Sequence, residues 1–362
     1  METIFVAPGK YVQGCALLNE AGVYVKEYGE KSLIIADGLV QNLIKEPLAR
    51  SLEKSGIKTH IEVFSGECCR PEIERLSNIA TNLGVDIVIA VGGGKTLDTG
   101  KAVAFNRGAA SIMVPTIAAT DAATSSVSAL YSEDHIYESA LKFSQNPNLI
   151  LVDTEIISKA PLRFLVAGMG DALATKFEAR ACFSSGAKNA MGGKSTLAGL
   201  ALADLAYEII LNHGLHAKFA VENKVVTPSL EKVVEANVLL SGLGWENVGL
   251  AVAHAFQGAL TAIPRSHLAY HGEKVAVGTL IQMVLEDRPF NEISDLIKFY
   301  KSVGLPKNLA GLGMDKPTEE EILKIVSRMC QPGSYAHNMP FTIKERMLRD
   351  AIIMADSIGN KI

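Results

Sequence analysis

Three residues in the second half of the chain have side chains that bind metal ions in many proteins. Asp171 follows two glycines at the predicted start of a largely apolar helix. His254 lies within the apolar segment GLAVAHAFQGAL, and His271 opens the helical segment HGEKVAVGTLIQMVLE. One carboxylate and two imidazoles are suitable ligands for zinc, and a three-ligand site keeps one coordination position for a substrate. These residues are therefore candidates for a catalytic metal site.

Each of these residues also has a purely structural interpretation, and spacing does not decide between the two. Asp171 could cap a helix N-terminus, His254 could be a hydrogen-bonded core histidine, and His271 could cap its helix. The separation of 17 residues between the two histidines would let two helices of a hairpin converge. His267, four residues before His271, is a rival ligand.

A glycine-rich loop follows a predicted strand in the first half of the chain. The segment DIVIAV (86–91) is a continuous apolar run, typical of a central strand, and GGGKTLDTGK comes directly after it. Gly93 and Gly94 would let the backbone approach a phosphate, the following helix would offer free N–H groups, and Lys95 adds a cation. The segment matches neither GxGxxG nor the P-loop pattern, and a glycine run can be only a tight turn. Its place between strand and helix favours phosphate binding.

A carboxylate marks the end of another predicted strand, SLIIA (32–36). Asp37 follows that strand, at a position where an acidic residue commonly accepts hydrogen bonds from an adenosine ribose. Its charge would repel a 2′-phosphate, which favours NAD over NADP. The Asp-Gly pair is equally typical of a turn or of a helix N-cap.

A loop of small and hydroxyl residues, TIAATDAATSS (116–126), follows the predicted strand SIMVP. Small side chains let a flat ring or a sugar lie close to the backbone. Asp121 is the only charged residue between Arg107 and Glu133, at the carboxyl end of a strand, where an α/β fold places its chemistry. Asp121 could also be an ordinary cap of a turn. The hydroxyls that could donate hydrogen bonds are those of Thr116, Thr120, Ser125 and Ser126.

The elements that would hold these residues change in character near residue 160. Before that point strands, among them the alternating segment THIEVF (59–64), are interspersed with helices, an order typical of a parallel sheet with helices on both faces. Beyond it nearly every apolar segment has helical spacing. We therefore predict an α/β domain over 1–160 and an all-helical domain over 161–362, with ligands bound in the cleft between them. Helices are predicted at 40–55 (through Val40, Leu43, Ile44, Leu48 and Leu52), 166–181, 195–211, 230–240, 249–263, 272–285, 291–303 and 345–358.

Composition excludes several other classes of protein. The chain has 362 residues, of which 48% are hydrophobic and 20% charged, as in a folded globular enzyme. The net charge of −4 and the lack of charged blocks give no indication of a nucleic-acid or membrane partner. The five cysteines show no CxxC pair, and no secretion signal or membrane span is evident, so we expect reduced thiols and a cytoplasmic location.

Taken together, these segments resemble the glycerol dehydrogenase family within the iron-containing (group III) alcohol dehydrogenase superfamily. The similarity extends over nearly the whole chain, and several of the matching segments are long and distinctive. They are APGKY (7–11), GGGKTLDT (92–99), PTIAATDA (115–122), GMGDALATKFEARA (168–181), VTPSLEKVVEAN (226–237), TAIP (261–264), YHGEKVAVGTL (270–280) and HNMP (337–340).

The resemblance implies a dehydroquinate synthase-like fold, with a Rossmann-like N-terminal domain and a helical C-terminal domain. It implies NAD-dependent oxidation of glycerol and related vicinal diols to ketones such as dihydroxyacetone. Alternatives are another small diol or hydroxyketone, such as 1,2-propanediol or hydroxyacetone, and the reaction of a glycerol-1-phosphate dehydrogenase or of a dehydroquinate synthase-like lyase. A phosphorylated substrate should require extra cations, for which Lys176, Arg265 and Lys274 are the residues to check. A non-catalytic NAD-binding or metal-storing protein is a further alternative. The family also implies a homo-oligomer, often an octamer.

The resemblance assigns roles to individual residues. It implies one zinc ion per subunit bound by Asp171, His254 and His271, and it places Asp121 at the substrate position. The positions that would contact NAD are Asp37, Gly93, Gly94, Lys95, Thr116, Ala119, Ser125, Val127 and Tyr131.

Three departures from the family pattern bear on the site. Iron-dependent relatives carry a fourth ligand, a histidine one helical turn after the aspartate, where this chain has Thr175. Three ligands and an open position suit zinc better than ferrous iron. The family's HAxHNG is here HAFQGA (254–259), with Phe256 and Gln257, and Ala123 and Thr124 stand where relatives often have Pro and Cys. We expect both changes to reshape the substrate pocket.

Overall fold

A computed structural model describes residues 2–38, 40 and 46–362 of the chain. Its strands are β1 (Tyr11–Gly14), β2 (Lys31–Asp37), β3 (Lys58–Phe64), β4 (Ile87–Gly92), β5 (Ala110–Pro115), β6 (Val127–Tyr131), β7 (Tyr137–Lys142) and β8 (Leu149–Asp153). Six of them form a parallel sheet in the order β1-β8-β5-β4-β2-β3. The α/β architecture predicted for the first half of the chain is confirmed.

The central strand β4 shows why this sheet forms. Every residue of IVIAVG in β4 is buried, because helices cover both faces of the sheet and β-branched side chains pack well there. The predicted strands β2, β3, β4 and β5 are confirmed to within a residue or two. The α-helices of this half, within the part of the chain that the structure describes, include Ala21–Val25, Pro47–Lys54, Arg70–Leu83, Gly94–Arg107 and Thr154–Lys159. Leu43 and Ile44 of the predicted helix 40–55 lie outside the described residues.

The hairpin of β6 and β7 is an element that sequence patterns did not predict. Its strands are antiparallel, with Val127 opposite Lys142, and they directly follow the predicted TIAATDAATSS loop. The burial of β6 alternates, but β7 is polar and half-exposed, so it has no continuous apolar signal.

All regular elements after residue 160 are helical. The long helix Leu162–Ser185 extends further than predicted and ends where Gly186 adopts a φ of 72°, a left-handed conformation that glycine tolerates as a C-cap. The others are Leu197–Glu222, Pro228–Glu235, the π-helical turn Ala236–Leu240, Ser241–Val248, Val252–Leu260, His271–Leu285, Phe290–Val303, Glu319–Met329 and Glu345–Lys361.

One apolar core joins the sheet to the helices. Met113 of β5 and Ile150 of β8 belong to the same buried cluster as Phe177 and Leu173 of the helix Leu162–Ser185. This shared core packs the sheet against the helical half. The change from sheet to helices falls near residue 160, and a domain boundary there stays a prediction. No helix of the described residues is long and apolar enough to cross a membrane.

Candidate metal and nucleotide site

The three residues proposed as metal ligands meet in space. Asp171 Oδ1 lies 3.3 Å from Nε2 of His254 and 3.3 Å from Nε2 of His271. The two Nε2 atoms are themselves 3.3 Å apart. Each of the three side chains therefore offers one potential metal-ligand atom, and these three atoms lie close enough together to bind a single ion. His267, the rival, lies apart from it, with Nε2 at 2.9 Å from the carbonyl oxygen of Thr261.

The donor set fits a divalent metal ion. Bonds of about 2.0–2.1 Å to a tetrahedral ion would separate its ligand atoms by about 3.3 Å, which matches the three observed distances. Asp171 is 2% exposed, and neither of its carboxylate oxygens accepts a well-aligned hydrogen bond within the described part of the chain. A buried carboxylate without such partners is costly unless a cation compensates its charge.

Glu178 orients one of these histidines, and sequence reasoning missed it. This fully buried carboxylate accepts the Nδ1 proton of His254 at 2.6 Å, and it also accepts the backbone N–H groups of His254 and Ala251. Because Nδ1 is the donor to Glu178, Nε2 is the nitrogen that faces Asp171, and a metal ion would bind there in exchange for any proton on it. Glu178 lies seven residues after Asp171, two helical turns along the same face, and this spacing was the available signal.

The charges of neighbouring side chains determine the pKa values of His254 and Asp171. Burial alone would lower the pKa of His254, but Glu178 and Asp171 outweigh it and raise that pKa well above its ordinary value. Burial alone would likewise raise the pKa of Asp171, yet the two imidazoles hold it below its ordinary value. The carboxylate therefore stays ionised, as a metal ligand must.

The backbone brings the ligands together through unusually close contacts. A Cβ atom on Gly272 would lie 1.8 Å from the carbonyl oxygen of Ala167, so only glycine allows the helix carrying His271 to approach the helix carrying Asp171. Asp171 is the tenth residue of the helix Leu162–Ser185, so the expectation that it starts or caps a helix was wrong. The first turns of this helix contribute Leu165 and Val166 to the apolar core that it shares with the sheet.

The metal candidates border a large cavity of about 1680 Å³. That volume exceeds the roughly 300–1,000 Å³ of most small-molecule pockets and leaves room for a dinucleotide beside a substrate. Asp171 lies behind its wall, whereas His254, His271 and Asp121 are on it. The proposed nucleotide-contacting residues all line the same cavity: Asp37, Gly93, Gly94, Lys95, Thr116, Ala119, Ser125, Val127 and Tyr131.

Comparisons with known proteins identify the family. A model described as "Iron-containing alcohol dehydrogenase" matches residues 8–154. A glycerol dehydrogenase of Escherichia coli is 44% identical over 361 residues, which cover 100% of this chain and 98% of that protein. The chain belongs to the iron-containing alcohol dehydrogenase family.

A glycolaldehyde reductase of Halobacterium salinarum is 42% identical over 362 residues, covering 100% of this chain and 99% of that one. The crystal structure of glycerol dehydrogenase from Schizosaccharomyces pombe superposes with a TM-score of 0.96 at 38% identity, covering 99% of this chain and 92% of that one.

In this member of the iron-containing alcohol dehydrogenase family, the glycine loop begins a helix at the carboxyl end of β4. Gly93 is the N-cap of the helix Gly94–Arg107. The first backbone N–H groups of that helix have no carbonyl acceptor within the helix, so they are available to a ligand. Lys95 Nζ lies 2.5 Å from Glu67 Oε2 and 5.3 Å from the centre of the Tyr131 ring. Positive dipole and cation together suit a phosphate.

A buried lysine, which sequence reasoning did not single out, holds the loop that contains Asp121. Lys101 is 3% exposed and forms an ion pair with Asp98 at 2.9 Å. Asp98 in turn accepts the backbone N–H of Ala129 in β6. The lysine also donates to the backbone carbonyls of Ala122, Ser125 and Val127. The helix that presents the glycine loop thus also fixes the predicted substrate loop.

Asp121 has the properties of a proton acceptor near neutral pH. Its Oδ2 accepts a hydrogen bond from Ser241 Oγ at 2.5 Å. Burial and the charge of Asp171 raise the pKa of Asp121 to about 7. A carboxyl with such a pKa can take and return a proton under physiological conditions.

Proposed function

We propose that this protein oxidises glycerol and related vicinal diols to hydroxyketones with NAD and one zinc ion. The observation that carries the proposal is that Asp121, His254 and His271 line the same cavity as the glycine loop and Asp37. The relatives named glycerol dehydrogenase support the substrate class. The acidic Asp37 at the end of β2 supports NAD rather than NADP.

Zinc is proposed rather than iron because the chain offers three ligands and a hydroxyl in place of a fourth. Thr175 Oγ1 lies 3.0 Å from Ser241 Oγ, so it is engaged with another side chain. Asp171, His254 and His271 would hold the ion and keep one position open for the substrate. When bound, zinc supplies a Lewis acid that stabilises an alkoxide, and NAD supplies the acceptor of the hydride.

The residues of the chain set the geometry and move the proton. Glu178 fixes the ring of His254, and the close contact at Gly272 fixes the position of His271. Asp121 would take the proton that the substrate hydroxyl loses, directly or through one water. Small side chains such as Ala119 leave room on the loop for the flat nicotinamide ring. The net change is diol and NAD⁺ to hydroxyketone, NADH and a proton.

A second candidate is the reduction of a small hydroxyaldehyde at the same site, favoured by the relative named glycolaldehyde reductase. A phosphorylated substrate is less well supported. Lys176, Arg265 and Lys274 are not among the described residues that line the cavity. Lys176 lies 3.8 Å from the centre of the Tyr207 ring, and Arg265 pairs with Glu321. A cytoplasmic location and a homo-oligomer are also part of our proposal, on the strength of the resemblance.

The test is a screen of polyols, hydroxyketones and hydroxyaldehydes with NAD and NADP, combined with metal analysis. We expect glycerol and NAD to be used, zinc to be present, and a chelator to stop the reaction. The variant His254→Ala should lose zinc and at least about 1,000-fold in kcat/KM while its circular dichroism stays unchanged. His216→Ala, an exposed histidine, serves as the matched control. Full activity of metal-free protein would refute the mechanism.

A further inference from the structure

Asp121 is connected to the interior of the helical half by two buried hydroxyl groups. Ser241 Oγ donates to Asp121 Oδ2 at 2.5 Å, and Thr175 Oγ1 lies 3.0 Å from Ser241 Oγ. Ser241 is fully buried and Thr175 is 1% exposed. Each hydroxyl has one proton, and Ser241 uses its own on the carboxylate, so Thr175 is the donor in its contact with Ser241. Thr175 Oγ1 also lies 3.4 Å from the backbone carbonyl oxygen of Asp171, a longer contact that can share the same proton. The three side chains therefore form a directed chain of hydrogen bonds that ends on Asp121.

The local backbone is shaped to make this chain possible. Ser241 begins a helix directly after the π-helical turn Ala236–Leu240, and such wide turns are frequent at functional sites. A Cβ atom on Gly242 would lie 3.3 Å from the Cβ of Asp121 and 2.8 Å from that of Thr124. A Cβ atom on Gly244 would lie 2.8 Å from Cγ2 of Thr175. The two glycines thus let one helix touch both the Asp121 loop and the helix of the metal ligand Asp171.

Other contacts hold the same loop in place but do not reach its carboxylate. Asn237 donates to the carbonyl of Ala118 at 2.9 Å, and Glu246 accepts the N–H and hydroxyl of Ser126. These groups fix the backbone of the loop. Among the described side chains, Ser241 is the one that donates a hydrogen bond to the carboxylate of Asp121.

We propose that Ser241 and Thr175 are positioning residues that fix the orientation of the Asp121 carboxylate toward the metal ligands. This inference rests on the proposed function, in which Asp121 takes the substrate proton. Thr175 acts through Ser241, and Ser241 acts through Asp121. The position at which iron-dependent relatives are expected to carry a histidine ligand therefore serves the acid–base residue here.

The prediction is tested by a double-mutant cycle with Ser241→Ala, Thr175→Val and the double variant. We expect kcat with glycerol to fall about 10- to 100-fold for Ser241→Ala and about 3- to 10-fold for Thr175→Val, with the KM for NAD and the zinc content unchanged. The double variant should match Ser241→Ala to within twofold, because in this proposal Thr175 influences Asp121 through Ser241. Thr175→Ser, which keeps the hydroxyl, should retain wild-type kcat to within twofold.

Matched controls separate this role from simple loss of a buried hydroxyl. Thr279→Val removes a buried threonine hydroxyl that bonds the carbonyl four residues before it, and Ser266→Ala removes a buried serine hydroxyl. Both should keep wild-type kcat. Equal effects of Thr175→Val in both backgrounds, or loss of zinc from that variant, would overturn the proposal, since Thr175 would then act through Asp171.

Crystal structures of wild type and Ser241→Ala give a readout that does not depend on turnover. We expect the Asp121 side chain to leave its wild-type orientation in the variant while the loop backbone and the three metal ligands stay in place. An unchanged carboxylate would overturn the positioning role. A wild-type enzyme that is inactive with every polyol would instead refute the proposed function, and the two failures are therefore distinguishable.

Discussion

The nucleotide half and the metal half of this enzyme build their sites in different ways. In the sheet half, the candidate groups sit where strands end: Asp37 closes β2, and Gly93 and Lys95 follow β4. In the helical half, Asp171, His254 and His271 lie on three separate helices, in the middle or at the start of each. The first site is a property of local chain geometry, and the second exists only when helices are packed.

This difference determines what each site tolerates. Backbone N–H groups at a helix N-terminus are present whenever the helix forms, so single side chains contribute a limited share of phosphate binding. The candidate metal ligands are brought together by close interhelix contacts, such as that between Gly272 and Ala167, and by a buried partner such as Glu178. We therefore expect packing changes to damage the metal half more than side-chain deletions damage the nucleotide half.

The largest effect should come from Gly272→Ala. A Cβ atom there would lie 1.8 Å from the carbonyl oxygen of Ala167, which forces the two helices apart. We expect at least about 100-fold weaker zinc binding and about 1–3 kcal/mol lower free energy of unfolding of the zinc-free protein. Metal titration and urea unfolding measure the two quantities.

Gly258→Ala is the matched control for that change. Gly258 is also helical, and a Cβ atom there would meet nothing within 4 Å. Alanine should raise helix stability by up to about 1 kcal/mol. If the two alanine variants behaved alike in unfolding and zinc binding, the close approach of the helices would not matter for the site.

A smaller effect is expected from Glu178→Gln, which keeps the shape of the side chain. Its amide oxygen can still accept the backbone N–H groups of Ala251 and His254, but its NH₂ group would face Nδ1 of His254. That donor favours the tautomer with the proton on Nε2, which blocks the metal-binding lone pair. We expect zinc affinity to fall about 10- to 100-fold.

Zinc competition with a chromogenic chelator measures this loss. Glu320→Gln, at an exposed position in the helix Glu319–Met329, should bind zinc like the wild type. Unchanged affinity in Glu178→Gln would show that this carboxylate is not required to set the tautomer of His254.

The same contrast explains which features could be predicted from sequence. Strands β2 to β5 and the glycine loop were predictable, because an apolar run followed by glycines carries its signal within a dozen residues. The family resemblance predicted that Asp171, His254 and His271 converge, as they do, whereas their spacing alone left other interpretations open. Glu178 and Ser241 were not found, since their roles depend on contacts across 76 and 120 residues of chain. The role of Lys101 was not predictable either, because its three carbonyl partners lie 21, 24 and 26 residues further along the chain.

The smallest of the three effects is expected from Lys95→Ala in the nucleotide half. Lys95 pairs with Glu67 at 2.5 Å, so a bound phosphate has to compete with that carboxylate for the lysine. This competition reduces the contribution of Lys95 to the binding free energy of NAD. We expect the Kd of NAD to rise about 10-fold, with unchanged zinc content and unchanged kcat at saturating NAD. Isothermal titration calorimetry gives the Kd of NAD, and raising the salt concentration should weaken binding less in the variant than in the wild type. Lys324→Ala, at an exposed lysine of the helical half, should bind NAD like the wild type. A loss of 1,000-fold or more for Lys95→Ala would break the comparison between the halves, because the nucleotide site would then depend on one side chain as strongly as the metal site does.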